Sequence, residues 1–226
     1  MQLSEDIEYA TTGVKVTFTL SVLIGILLSL GVTFMVWKFA PGRYIKKMDL
    51  RELNAGEGHI LEDVKRISDI VGEETPEVLI LQSKEPASLV IGGSRNYLIL
   101  SEGLIDILEQ KELETVIAHE LMHIKNDDCK FKLFSSIFSK IMFFDPFSKF
   151  FDPAVHRERE YLADEMAGKI TKKPATLASA LLKIGEEKKI HSSFLVGLSI
   201  IGPSKGLFSK YPPLEKRIER LLNLVE

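Results

Sequence analysis

The sequence predicts an α+β chain: a mainly helical domain with a small antiparallel sheet, preceded by one N-terminal transmembrane helix. Three observations predict it. An uncharged apolar run extends from Val16 to Trp37, short β-rich runs cluster between Val78 and Leu100, and helical apolar spacing covers nearly everything after Glu102.

The run VTFTLSVLIGILLSLGVTFMVW contains no ionisable residue. At about 1.5 Å per residue it is roughly 33 Å long, enough for a hydrocarbon core of about 30 Å. It follows acidic Glu5, Asp6 and Glu8 and ends in Met-Val-Trp, so it reads as a retained anchor and not as a cleaved leader. Lys15 alone precedes it, whereas Lys38, Arg43, Lys46, Lys47 and Arg51 follow. The positive-inside rule then predicts a single-pass cell-membrane protein with residues 1–15 outside, the span at 16–37 and the rest in the cytoplasm. Trp37 and Tyr44 fall at interfacial positions. Pro41-Gly42 is expected to end the helix, leaving a linker at 38–56 and a folded domain at 57–226.

In that domain Ile60, Leu61, Val64, Ile67, Ile70 and Val71 recur at helical spacing, which predicts a helix over Glu57 to Val71. Val78 to Leu81, Ser88 to Ile91 and Tyr97 to Leu100 read as strands, the last two joined by a turn at 92–96. Leu113, Val116, Ile117, Leu121 and Ile124 form one apolar face of a helix over Lys111 to Asp128. The Phe-rich run from Phe131 to Phe151 is interrupted by Lys132, Lys140, Asp145 and Lys149 and broken by Pro146, too charged for a second span. It suits a helix lying in the bilayer plane, and a buried core helix equally well. Helices follow at Pro153 to Ile170 and Pro174 to Ile190, and a closing helix takes Pro213 as its first residue and runs through Val225.

Composition narrows the functions. With 29 basic against 32 acidic residues the net charge is −3, without the basic surplus that nucleic-acid binding leaves, so no nucleic-acid partner is expected. Charged residues at 27% and apolar ones at 45% argue against disorder. Cys129 is the one cysteine, which excludes an intramolecular disulfide and a cysteine zinc cluster and leaves the five histidines as soft-metal ligands.

Two of those histidines stand in His119-Glu120-Leu121-Met122-His123. Histidines at i and i+4 project from one helix face and can reach one zinc ion, with Glu120 beside them to take a proton from the attacking water. A catalytic zinc generally has a third protein ligand. Glu160-Tyr161-Leu162-Ala163-Asp164 offers two carboxylates on one helix face, one for the metal and one to hydrogen-bond a ligand imidazole.

Glu112 to Ala118 running into HELMHIKNDD, the Arg157 to Asp164 segment RERE-YLAD, and the closing Pro212-Pro213-Leu214-Glu215-Lys216-Arg217-Ile218 together resemble the HtpX-like membrane zinc metallopeptidases, relatives of the CAAX prenyl endopeptidases. The resemblance covers nearly the whole chain after the anchor. It implies a gluzincin-type, zincin-like α+β fold and one zinc ion per chain on His119, His123 and Glu160. It further implies Glu120 as general base and then acid, and Asp164 orienting His119. Ser88, Leu89, Val90 and Ile91 are similar to the family's substrate-binding edge strand, with Leu89 in place of its Phe. Asp127 stands where the family usually has Gly, His156 where it has Ser, and Tyr211 where it has His. Tyr211, His156, Arg157 and His191 can each offer a hydrogen bond to a developing oxyanion, although His191, like His59, is expected to be an ordinary histidine.

The expected function is a membrane-anchored zinc endopeptidase acting on misfolded or membrane proteins, with those chains and the lipid bilayer as partners. The alternatives are a site-specific processing peptidase, an inactive membrane adaptor stabilised by zinc, and a plain anchored helical domain.

Overall fold

The structure, a computed structural model, describes residues 2–46, 48–92, 95–128, 146–190 and 211–225. The chain divides into two units, Met1–Lys47 and Met48–Glu226.

The first unit is one helix, α1 (Gln2–Ile45). Within it Thr12–Val32 is long and apolar enough to cross a membrane and is entirely exposed. Its hydroxyls are satisfied by the helix itself: Thr17 donates to the Gly13 carbonyl at 3.0 Å, Thr19 to Lys15 at 2.8 Å and Ser21 to Thr17 at 2.8 Å. Such back-bonding leaves few polar atoms in need of water, as an apolar surrounding requires. Contrary to expectation, α1 runs through Pro41-Gly42 to Ile45. A proline removes one backbone hydrogen bond and kinks a helix without obliging it to end.

In the second unit the short strand β1 (Leu50–Arg51) and a 3₁₀ turn at Ala55–Glu57 lead into α2 (Gly58–Val71). Ile60, Val64, Ile67 and Val71 bury one face of α2 at 0 to 4% exposure. The helix stops at Gly72, whose φ of +78° is left-handed and lets its N–H reach the Ser68 carbonyl. Strands β2 (Glu77–Leu81), β3 (Ser88–Ile91) and β4 (Tyr97–Ser101) follow.

The sheet is mixed, not antiparallel throughout, with order β1-β2-β4-β3. β1 pairs antiparallel with β2 and β3 with β4, but β2 and β4 run parallel. The cause is the hairpin: β3 and β4 form an antiparallel pair, and β4, not β3, returns beside β2. β3 is therefore an edge strand among the described residues.

After the short α3 (Glu102–Ile107) comes α4 (Gln110–Lys125), buried at every position from Glu112 to Ile124. It packs against α2, β3, α5 (Pro146–Thr171) and α6 (Pro174–Ile190). A central helix with neighbours on all sides holds its side chains in single arrangements, which a catalytic site requires. The chain closes with α7 (Leu214–Leu222), for which Pro213 is the N-cap and not the first helical residue. α5 starts at Pro146, earlier than the sequence predicts, and passes through Pro153. Proline fits a first turn, and within a helix it costs one bond. The Phe-rich run lies outside the described residues up to 145.

Candidate active site

α4 presents His119 and His123 one turn apart, and α5 brings Glu160 against them. One donor atom from each of the three lies within 4.8 Å of the others, and all three residues are buried. His123 Nε2 is 3.1 Å from His119 Nε2. Glu160 lies 3.6 Å from each imidazole, Oε2 toward His119 Nε2 and Oε1 toward His123 Nε2.

The opposite nitrogens are held by other carboxylates. His119 Nδ1 is 3.0 Å from Asp164 Oδ1, and His123 Nδ1 is 2.6 Å from Asp128 Oδ2. In a neutral imidazole, a proton on the Nδ1 that faces the acid would leave the Nε2 lone pair toward the cluster, the tautomer a metal needs. Asp164 in turn accepts two bonds from Arg217 of α7, from Nε at 2.7 Å and Nη2 at 2.6 Å. Asp128 is paired with Arg159 of α5. Glu120, next to His119 in the chain, is buried as well and accepts the Ser88 hydroxyl at 2.7 Å, Oγ to Oε1.

The charges also suit a cation. Among the described residues Glu120, Asp128, Glu160 and Asp164 are buried here against the guanidiniums of Arg159 and Arg217, so that carboxylates outnumber guanidiniums four to two. Burial alone would lower the His119 imidazole, but Asp164 and Glu160 reverse that and push it up to about 9. Burial would raise the Glu160 carboxyl, yet His123, His119 and Arg217 hold it well below the usual range. The donor set, one carboxylate with two imidazoles each fixed by its own acid, fits a divalent metal of the zinc type. His119, His123 and Glu160 could hold such an ion.

Of the residues weighed as oxyanion donors, Tyr211 is half-buried and is drawn into the cluster. Burial, and then the Glu160 and Glu120 carboxylates, push its phenol upward, so it stays protonated. His156 is buried one turn before Glu160 on α5, with Arg157 half-buried beside it. His191 lies outside the described residues, and His59 is exposed on α2. Ser88 and Leu89 are buried in β3, and Val90 and Ile91 partly so.

Sequence reasoning missed three participants. Asp128 was legible only as an acid after HExxH, Arg217 as part of a motif with no role, and Ser88 as backbone. Their roles depend on where chain turns and a distant helix return them.

Known proteins resemble this chain in sequence and in fold. The BlaR1 peptidase M56 family model matches residues 6–206. A protease HtpX homolog of Dictyoglomus thermophilum is 29% identical over 88% of this chain and 80% of its own length. One of Pyrococcus furiosus is 32% identical over 70% of each chain, and one of Tropheryma whipplei 33% identical over 70% of this chain and 69% of its own. In fold, the chain matches the crystal structure of S. mikatae Ste24p with a TM-score of 0.63 at 16% identity, over 89% of this chain. It spans 57% of that protein. On the span of the family model and its likeness to these proteases, the chain belongs to the BlaR1 peptidase M56 and HtpX-like metallopeptidases and is a metalloprotease.

Proposed function

We propose that this protein is a membrane-anchored zinc endopeptidase that cleaves misfolded or membrane proteins, with α1 crossing the cell membrane once and the site in the cytoplasm. The observation that carries it is the convergence of His119, His123 and Glu160 in one buried cluster with Glu120 beside it. Zinc held by those three residues would polarise the scissile carbonyl and make the attacking water more acidic. Glu120 takes that water's proton and returns it to the leaving amine. Tyr211, kept protonated beside two carboxylates, donates to the developing oxyanion. The edge strand β3 takes the substrate backbone, a pairing with little sequence preference that suits unfolded chains. Asp164 and Asp128 hold the imidazoles throughout.

The test is degradation of a labelled unfolded protein by zinc-loaded full-length chain in detergent, beside Glu120→Gln prepared identically. Cleavage by the wild type and none by Glu120→Gln, at equal zinc content, is the expected result. Equal cleavage by both would remove Glu120 as the base, and no cleavage by either, with one zinc bound, would favour an inactive adaptor.

A further inference from the structure

We propose that Ser88 is a positioning residue for Glu120, so that the strand which receives substrate also sets the catalytic base. The inference deepens the endopeptidase assignment and rests on Glu120 as base. Ser88 is fully buried, and its hydroxyl donates to Glu120 Oε1 at 2.7 Å from an element far away in sequence.

The serine is itself held rigidly. Its neighbour Ala87 is fixed to Ser101 from both directions: the Ala87 N–H donates to Ser101 Oγ at 2.8 Å, and the Ser101 N–H donates to the Ala87 carbonyl at 2.9 Å. Ser101 Oγ also caps α3 by accepting the Leu104 N–H at 3.1 Å. The loop before Ala87 is pressed onto the same helix, where Gly103 donates to the Ser83 carbonyl at 2.9 Å. A Cβ at Gly103 would lie 1.9 Å from the Lys84 carbonyl oxygen, so this approach exists only for glycine.

Strand start, loop and helix cap thus form one anchored unit with the Ser88 hydroxyl at its tip. A glutamate has three rotatable bonds and no preference of its own for the orientation that faces an attacking water. A fixed donor on one oxygen removes much of that freedom and leaves the other oxygen to work, the arrangement that catalytic preorganisation requires. Backbone pairing of substrate along β3 and alignment of the base then depend on the same strand.

The experiment compares wild type, Ser88→Ala, Ser88→Thr and Glu120→Gln, all full-length and zinc-loaded in detergent, on one labelled unfolded protein. In Ser88→Ala, kcat should fall on the order of tenfold with KM and zinc content unchanged, and Ser88→Thr, which keeps the hydroxyl, should recover most of it. Unchanged kcat in Ser88→Ala overturns the proposal. So does a loss shared by KM or zinc content, which marks a strand defect. A second readout does not need activity: melting temperatures of Ser88→Ala, Glu120→Ala, which removes the acceptor, and the double variant should be non-additive, and additive values overturn the pairing. If wild type cleaves nothing, the endopeptidase assignment fails while the melting cycle still decides whether Ser88 and Glu120 act together.

Discussion

Asp128 reaches back to His123 across only five residues, its Oδ2 2.6 Å from Nδ1, because the chain leaves α4 through a left-handed turn at Asp127. The Asp127 φ is +54°. That turn reverses the backbone so that the next carboxylate faces the last turn of the helix it has just left. Arg159 of α5 pairs with the far side of Asp128. His119 is held by a parallel series, Asp164 then Arg217, assembled from three separate helices. Each imidazole therefore has an acid behind it and a guanidinium behind the acid.

Removing either acid should weaken the metal, and Asp164→Asn should also cost stability because it leaves Arg217 buried with one carboxylate fewer. Asp128→Asn and Asp164→Asn should each raise the apparent zinc Kd by about 10- to 100-fold, the usual effect of losing an outer carboxylate. Competition with a chromophoric chelator measures it. Affinities within twofold of wild type would show that the imidazoles need no such orientation.

Asp127 makes a sharper local prediction. Few residues other than glycine tolerate a positive φ, and aspartate is one of them. Asp127→Gly should leave stability within about 1 kcal/mol of wild type and retain zinc, while Asp127→Val should lose about 1–2 kcal/mol and bind zinc more weakly as Asp128 is displaced. Chemical denaturation and zinc titration of the two variants test this. A valine variant as stable as the glycine one would mean that the turn carries no strain.

The helices and the histidine pair were legible because each rests on local spacing: His119 and His123 are four apart, and the buried face of α2 repeats every three or four residues, whereas Glu160, on a separate helix, was singled out from Asp164 only through the family resemblance. The sheet was legible strand by strand but not in its order, since nothing in Val78 to Leu81 says that β4 rather than β3 will lie beside it. Asp127 was visible as a departure from the family's glycine, yet its meaning needs the φ angle. Arg217 and Ser88 act across 53 and 32 residues of sequence, to Asp164 and Glu120. No periodicity encodes contacts of that range. Proline was over-read twice, at Pro41 and Pro153, where helix on both sides absorbs the missing bond.

Arg217 is a buried cation at 2% exposure, held by two hydrogen bonds to Asp164. Arg217→Met would leave Asp164 and Glu160 buried with too little positive charge. Breaking such a pair from one side typically costs about 3–5 kcal/mol. The metal-free variant should therefore be unfolded or nearly so at temperatures where metal-free wild type is intact, and zinc should restore part of the loss, because binding to the folded state alone stabilises it. Melting curves with and without zinc separate these terms. A metal-free variant as stable as wild type would mean that the two carboxylates are neutral, not paired.

Glu112 ties the start of α4 to α6, about two helical turns before His119. Its carboxylate accepts the Glu109 N–H at 2.9 Å, the Ser179 hydroxyl at 2.8 Å and the Lys183 ammonium at 2.7 Å. Burial would raise this carboxyl, but Lys183 and the two neutral donors outweigh it and hold it below its ordinary value of 4.5. A carboxyl depressed in the folded state gives stability that is complete above the unfolded value and is lost as pH falls through and below it. Glu112→Gln should therefore be less stable than wild type by about 1–2 kcal/mol at neutral pH, with the gap narrowing below about pH 4.5. Metal-free protein should be used for both, since acid also releases zinc. Urea denaturation across that range reads the difference, and a gap independent of pH would mean that Glu112 contributes shape and not charge.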